Sequence, residues 1–122
     1  MHIFPLNQLA QFNDKSPGVQ VIARSGPARH VLFSFQAGQS LPEHTTSSQI
    51  AVQVVSGQLT FTLHGETREL EPGQLLLLEA GVPHTVQAET DTIMLLTMTP
   101  DPQHHSLAGE LFDIIEPVVP LD

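Results

Sequence analysis

Along this chain the apolar residues fall in short alternating runs rather than in long helical stripes. Val31, Phe33 and Phe35 alternate with Leu32 and Ser34; Ile50, Val52 and Val54 alternate with Ala51, Gln53 and Val55; Leu59, Phe61 and Leu63 alternate with Thr60 and Thr62. A period of two sends alternate side chains to one face, so each run predicts a strand. Ser56-Gly57 and His64-Gly65 stand where tight hairpin turns need a residue tolerant of positive φ, and Pro72-Gly73 suits the central pair of a type II turn. Leu75 to Leu78 is continuous leucine, which predicts a strand buried on both faces. Gly81-Val82-Pro83 turns the chain again, His84, Val86 and Ala88 leave on one face, and a last strand runs through Ile93 to Met98. Turn residues recurring about every eight to twelve positions are the spacing of an all-β sandwich or barrel.

The two ends read differently. Phe4, Leu6, Leu9 and Phe12 form a weak amphipathic lead-in expected to cover an open end or edge of a barrel. Asp101-Pro102 is an N-cap followed by proline at the first helical position, and Leu107, Leu111 and Ile114 recur at helical spacing until Pro117. The expected organisation is a lead-in over 1–18, a barrel over 19–99, and a short C-terminal helix and tail over 100–122.

Composition narrows the partners. A chain of 122 residues predicts one domain, and 40% hydrophobic with 14% charged residues suffices for a packed core. Four Lys and Arg against 13 Asp and Glu give a net charge of −9, which repels a phosphate backbone, so no nucleic-acid partner is expected. There is no Cys, hence no thiolate chemistry and no Cys-ligated zinc; no Tyr and no Trp stand in the chain either. No segment approaches 18 apolar residues and the start carries no basic leader, so the expectation is a cytoplasmic protein without a membrane partner.

The stretch from Gly38 through His44 and Thr46 to Ile50 and Gly57 resembles the first motif of the cupins, G-x5-H-x-H-x3-4-E-x6-G. His44 falls on the first His, Thr46 replaces the second, and Ile50 stands where the glutamate belongs. The second motif, G-x5-P-x-G-x2-H-x3-N, maps onto Gly73, Glu79 in place of Pro, Gly81, His84, and Ala88 in place of Asn. The resemblance implies an all-β fold, a double-stranded β-helix or jelly-roll barrel.

In cupins the motif His and Glu residues hold a divalent metal, usually iron, manganese, nickel or zinc. Carried over, this leaves His44 and His84 as the metal ligands, because a threonine hydroxyl is a poor neutral ligand and isoleucine is none. Full structural zinc sites bind with about 10–16 kcal/mol; half the ligands would keep about 5–8 kcal/mol, a dissociation constant between about 0.1 mM and 1 μM. The expected metal is therefore weakly bound or absent. The plainer alternative for the two imidazoles is a polar pair left in the pocket, hydrogen-bonded to neighbours or water. His30, next to inward Val31, is expected to face away, and His64 to be a turn residue.

The resemblance also supplies a pocket wall. The strand before motif 1 turns its first, third and fifth residues inward, here Val31, Phe33 and Phe35, and the last strand contributes Ile93, Leu95 and Thr97. With Thr46 and Ile50 beside the two His, the expected ligand-binding set is Phe33, Phe35, His44, Thr46, Ile50, His84, Leu95 and Thr97. An apolar cavity with a few polar groups suits a small organic ligand. Three functions compete: a ligand-binding cupin with weak or absent metal, a metal-dependent enzyme of dioxygenase or isomerase type using His44 and His84, and an interaction module. The metal-free epimerase route of the superfamily needs a Tyr acid, and the chain has none. A homodimer is expected, with Ala51, Gln53 and Val55 as an outer face of apolar character.

Overall fold

The computed structural model describes residues 1–100 and 115–119. A short helix, α1 (Leu6–Leu9), precedes ten strands: β1 (Gly18–Ser25), β2 (Ala28–Phe35), β3 (Ser40–His44), β4 (Gln49–Ser56), β5 (Leu59–Leu63), β6 (Glu66–Leu70), β7 (Leu75–Leu78), β8 (His84–Ala88), β9 (Thr92–Thr99) and β10 (Ile115–Pro117). They form two antiparallel sheets, a six-stranded one in the order β10-β1-β2-β9-β4-β7 and a four-stranded one in the order β3-β8-β5-β6.

Alternation fixes what each strand buries. The six-stranded sheet sends Val31, Phe33 and Phe35 of β2, Ile50, Val52 and Val54 of β4, and Met94 and Leu96 of β9 into the space between the sheets. The four-stranded sheet answers with Leu59, Phe61, Leu70, Val86 and Ala88. This is a barrel closed by side chains, filled as small barrels are. The outer face of the larger sheet holds a second cluster, in which Ile22, Leu32, Ile93 and Val119 pack with Phe4, Leu6, Leu9 and Ala10 of the N-terminal lead-in.

The turns follow from their residues. His64 (φ 51°) and Gly65 (φ 77°) both sit left-handed, the two-residue hairpin geometry that matches strand twist. Gly57 (φ 94°) is required twice over, since a Cβ there would stand 2.4 Å from the Asp91 carbonyl oxygen.

Leu75 to Leu78 is not buried on both faces: among the described strands β7 is the edge of its sheet, paired with β4, and Leu75 and Leu77 are 55% and 62% exposed while Leu76 and Leu78 pack inward. Two-faced burial needs a packing layer on each face: the barrel interior covers Leu76 and Leu78, and no described residue packs over Leu75 and Leu77. The C-terminal helix expected around Leu107, Leu111 and Ile114 lies outside the described residues. Its expected end does not: Ile115–Pro117 is extended and pairs antiparallel with Ala23 to Ser25 of β1.

Candidate functional site

His44 and His84 meet across the β3–β8 pair, where they stand in register. The pairing also holds Leu41 opposite Val86, with a shift of register between Leu41 and His44. That bulge at Pro42-Glu43 lets Leu41 and His44, three apart, both face the interior. The two rings are 4.3 Å apart between centroids and inclined by 59°. His84 is almost fully buried, 3% exposed, and lies over the Phe61 ring at 6.3 Å; His44 is half-buried.

Each ring is oriented by backbone. Nδ1 of His44 lies 2.7 Å from the Pro42 carbonyl oxygen, and Nδ1 of His84 lies 2.9 Å from that of Val82. A carbonyl only accepts, so both Nδ1 atoms carry the proton, and in each neutral ring the lone pair sits on Nε2. Burial pushes the His84 pKa below the usual imidazole range; the Val82 carbonyl opposes that shift, and neighbouring His44 adds to it. Thr46 donates its hydroxyl proton to the Ser48 carbonyl oxygen at 2.7 Å, so its oxygen is left as an acceptor.

These groups line a cavity of about 30 Å³, walled by Phe33, Ile50, Val52, Met94 and Leu96 among others. That volume holds one or two water-sized groups and no organic molecule. It reaches the surface beside His44 and Thr46, both partly exposed.

Of the sequence-expected set, Phe33, His44, Thr46, Ile50 and His84 are brought together around this cavity. Phe35 is fully buried and stacks on Phe33 at 5.9 Å, within the core rather than on the cavity wall. Leu95 and Thr97 are corrected, and Ile93 with them. Val31 pairs with Leu96 and Phe33 with Met94, so the even-numbered residues of β9 point inward and Ile93, Leu95 and Thr97 lie on the outer face. Leu41, Met94 and Leu96 take the wall positions that sequence reasoning did not assign to the pocket. His30 faces away from the interior, with Thr97 as its partner.

The donors on the cavity lining are two imidazoles and one neutral hydroxyl oxygen, Ile50 occupies the carboxylate position, and no group of three metal-binding side chains occurs among the described residues. A resident ion in a full shell does not fit this set.

A family model described as Cupin domain matches residues 31–100, more than half of the chain. Among solved structures the chain is similar to an RmlC-like cupin protein from Desulfovibrio desulfuricans, with 28% identity, TM-score 0.75, and coverage of 82% of this chain and 97% of that one. It is also similar to a Thermus thermophilus protein, with 25% identity, TM-score 0.75, and 84% and 100% coverage. A more distant likeness, 22% identical with TM-score 0.58, is to a variant of salicylate 1,2-dioxygenase from Pseudoaminobacter salicylatoxidans, covering 63% of this chain and 25% of that one, and it shows the fold alone. No curated protein sequence matches the chain. The two-sheet barrel, the inward His pair on β3 and β8 and the extent of the family match lead to one conclusion: the chain belongs to the cupin family.

Proposed function

We propose that this cupin binds a small organic ligand at the His44–His84 cavity, with divalent metal weakly bound or absent. The observation that carries the reading is the pair of Nδ1 contacts to the Pro42 and Val82 carbonyls, which leaves a bare Nε2 acceptor on each of two adjacent rings. Two neutral acceptors beside one water-sized space call for a hydrogen-bond donor or a cation. The ligand therefore inserts a hydroxyl or amine group, and its body lies at the mouth beside His44 and Thr46. A second reading has an observation in its favour as well: metal-binding His residues commonly donate the other ring N–H to a backbone carbonyl, as both rings do here. Under that reading His44 and His84 hold a metal and the protein is an enzyme of dioxygenase or isomerase type.

Restoring the missing ligands separates the two. Thr46→His with Ile50→Glu would rebuild a shell of three imidazoles and one carboxylate. The buried Glu costs stability without metal, and metal returns it as binding free energy. Melting temperature is measured with and without Zn²⁺ and Mn²⁺ in native and doubly substituted protein. Native protein is expected to shift by little and the variant by several degrees. A large native shift would put the metal-dependent enzyme ahead, and equal small shifts would mean that the four positions do not converge.

A further inference from the structure

On the outer face of the six-stranded sheet lies a cavity about ten times larger than the one inside the barrel, with a volume of about 310 Å³. Phe4 and Leu6 of the lead-in, Ile22 of β1 and Leu95 of β9 form apolar walls, and among the described residues Ser25 and His30 are the polar ones. The strands explain how they meet. Val21 pairs with Val31 but Ala23 with His30, so β1 carries a bulge at Ile22 that turns both Ile22 and Ala23 to the outer side. Ser25 follows two residues later on the same face, beside the turn into β2.

The polar groups form one chain. Ser25 Oγ is 2.6 Å from His30 Nε2, and His30 Nδ1 is 3.1 Å from Thr97 Oγ1. A neutral imidazole has a single N–H, so this chain has two states. With the proton on Nδ1, His30 donates to Thr97 and accepts from Ser25, whose oxygen then offers only lone pairs. With the proton on Nε2, Thr97 donates to His30, His30 donates to Ser25, and the Ser25 hydroxyl is free to donate. Reversing the tautomer thus reverses what Ser25 presents. Burial lowers the His30 pKa, which keeps the ring uncharged near neutral pH and leaves no cation to pair with a carboxylate.

We propose that this cleft is a second binding site, for an uncharged, mainly apolar small molecule with one hydroxyl group, such as a phenol, whose hydroxyl hydrogen-bonds to Ser25. A hydroxyl both donates and accepts, so it is served by either state of the chain. The cavity stands at the small end of ligand pockets, which begin at about 300 Å³, and a single ring suits it. The excess of acidic residues further disfavours an anion. The site is separated from His44 and His84 by the sheet itself and does not depend on the function proposed for them.

The probe is 4-methylphenol, added to isotope-labelled full-length protein and followed by NMR, with toluene as the matched molecule lacking the hydroxyl. Saturable shifts are expected at Ala23, Ser25, His30 and Leu95, and Ser25→Ala is expected to weaken 4-methylphenol roughly fivefold or more while leaving toluene unchanged. Thr97→Val keeps Ser25 but cuts the chain at its far end, so it serves if Ser25→Ala folds poorly; a smaller loss is expected. Absence of saturable shifts at these residues, equal affinity in the native and substituted proteins, or shifts centred on His44 and His84 would overturn the proposal.

Discussion

Three imidazoles among the described residues are oriented by their neighbours, two by carbonyls and one by hydroxyls, and the difference sets what each can do. His44 and His84 are locked with the proton on Nδ1, whereas His30 lies between Ser25 and Thr97 and can reverse. Burial pushes the pKa values of both His30 and His84 below the ordinary value. For a depressed imidazole the unfolded chain takes up protons first. Stability is therefore lost as pH falls through the unfolded value of about 6.5, until the folded value is passed. Replacing His30 by Gln removes one such group. Thermal melts between about pH 7.5 and pH 5.5 should show native protein losing more stability than His30→Gln, since carboxylate titrations are common to both. Equal losses would show that burial does not depress His30. His44 and His84 were legible in the sequence because the glycine frames around them survive, while the Ser25–His30–Thr97 chain was not. It joins His30 to Thr97, 67 residues on, through the β2–β9 register and to Ser25 beside a bulge in β1, neither of which a local pattern announces.

At the scale of elements, alternation was informative wherever one face is polar and silent where both are apolar. β2, β4 and β5 could be assigned from their periods, and their inward residues build the core. β9 carries Ile93 and Leu95 on one face and Met94 and Leu96 on the other, and both faces are covered, one by the barrel interior and one by the lead-in. Its orientation is set by register with β2, which a single strand's sequence does not contain. Likewise β7 is all leucine, and only the sheet order reveals it as an edge. Turns were the most legible elements, because their backbone demands particular residues. Gly57 and Gly65 both have positive φ, but a Cβ at Gly57 would strike the Asp91 carbonyl and the Thr92 backbone, whereas one at Gly65 meets nothing within 4 Å. Gly65→Ala should cost about 1–2 kcal/mol from the dihedral alone, and Gly57→Ala clearly more, by urea unfolding. A smaller loss at Gly57 would contradict the placement of the β4–β5 turn against β9.

For the whole molecule, the proposal from the sequence that two copies pair gains a surface. The outer side of β4 and β7 presents Leu75 and Leu77 beside Ala51 and Gln53, on the strand that ends the sheet among the described residues, while Val55 is partly buried under the lead-in cluster. Exposed leucines at a sheet edge are a surface that a second copy could cover, and this is the face proposed for the pairing. Sedimentation equilibrium at micromolar concentration is expected to give a dimer of the 13.3 kDa chain, and Leu77→Lys a monomer. A native monomer would sink the pairing.

In the barrel interior two imidazoles, each held through Nδ1 by a backbone carbonyl, line one small space and together make an incomplete site. Long-range nitrogen–proton NMR reads both tautomers directly, and a Zn²⁺ titration followed in the same spectra reads whether the two nitrogens act as a unit. His44 and His84 are both expected to carry Nδ1–H, with both Nε2 resonances moving together at a midpoint no tighter than about 1 μM. A proton on Nε2 of either ring, separate midpoints for the two, or stoichiometric retention of metal would contradict it.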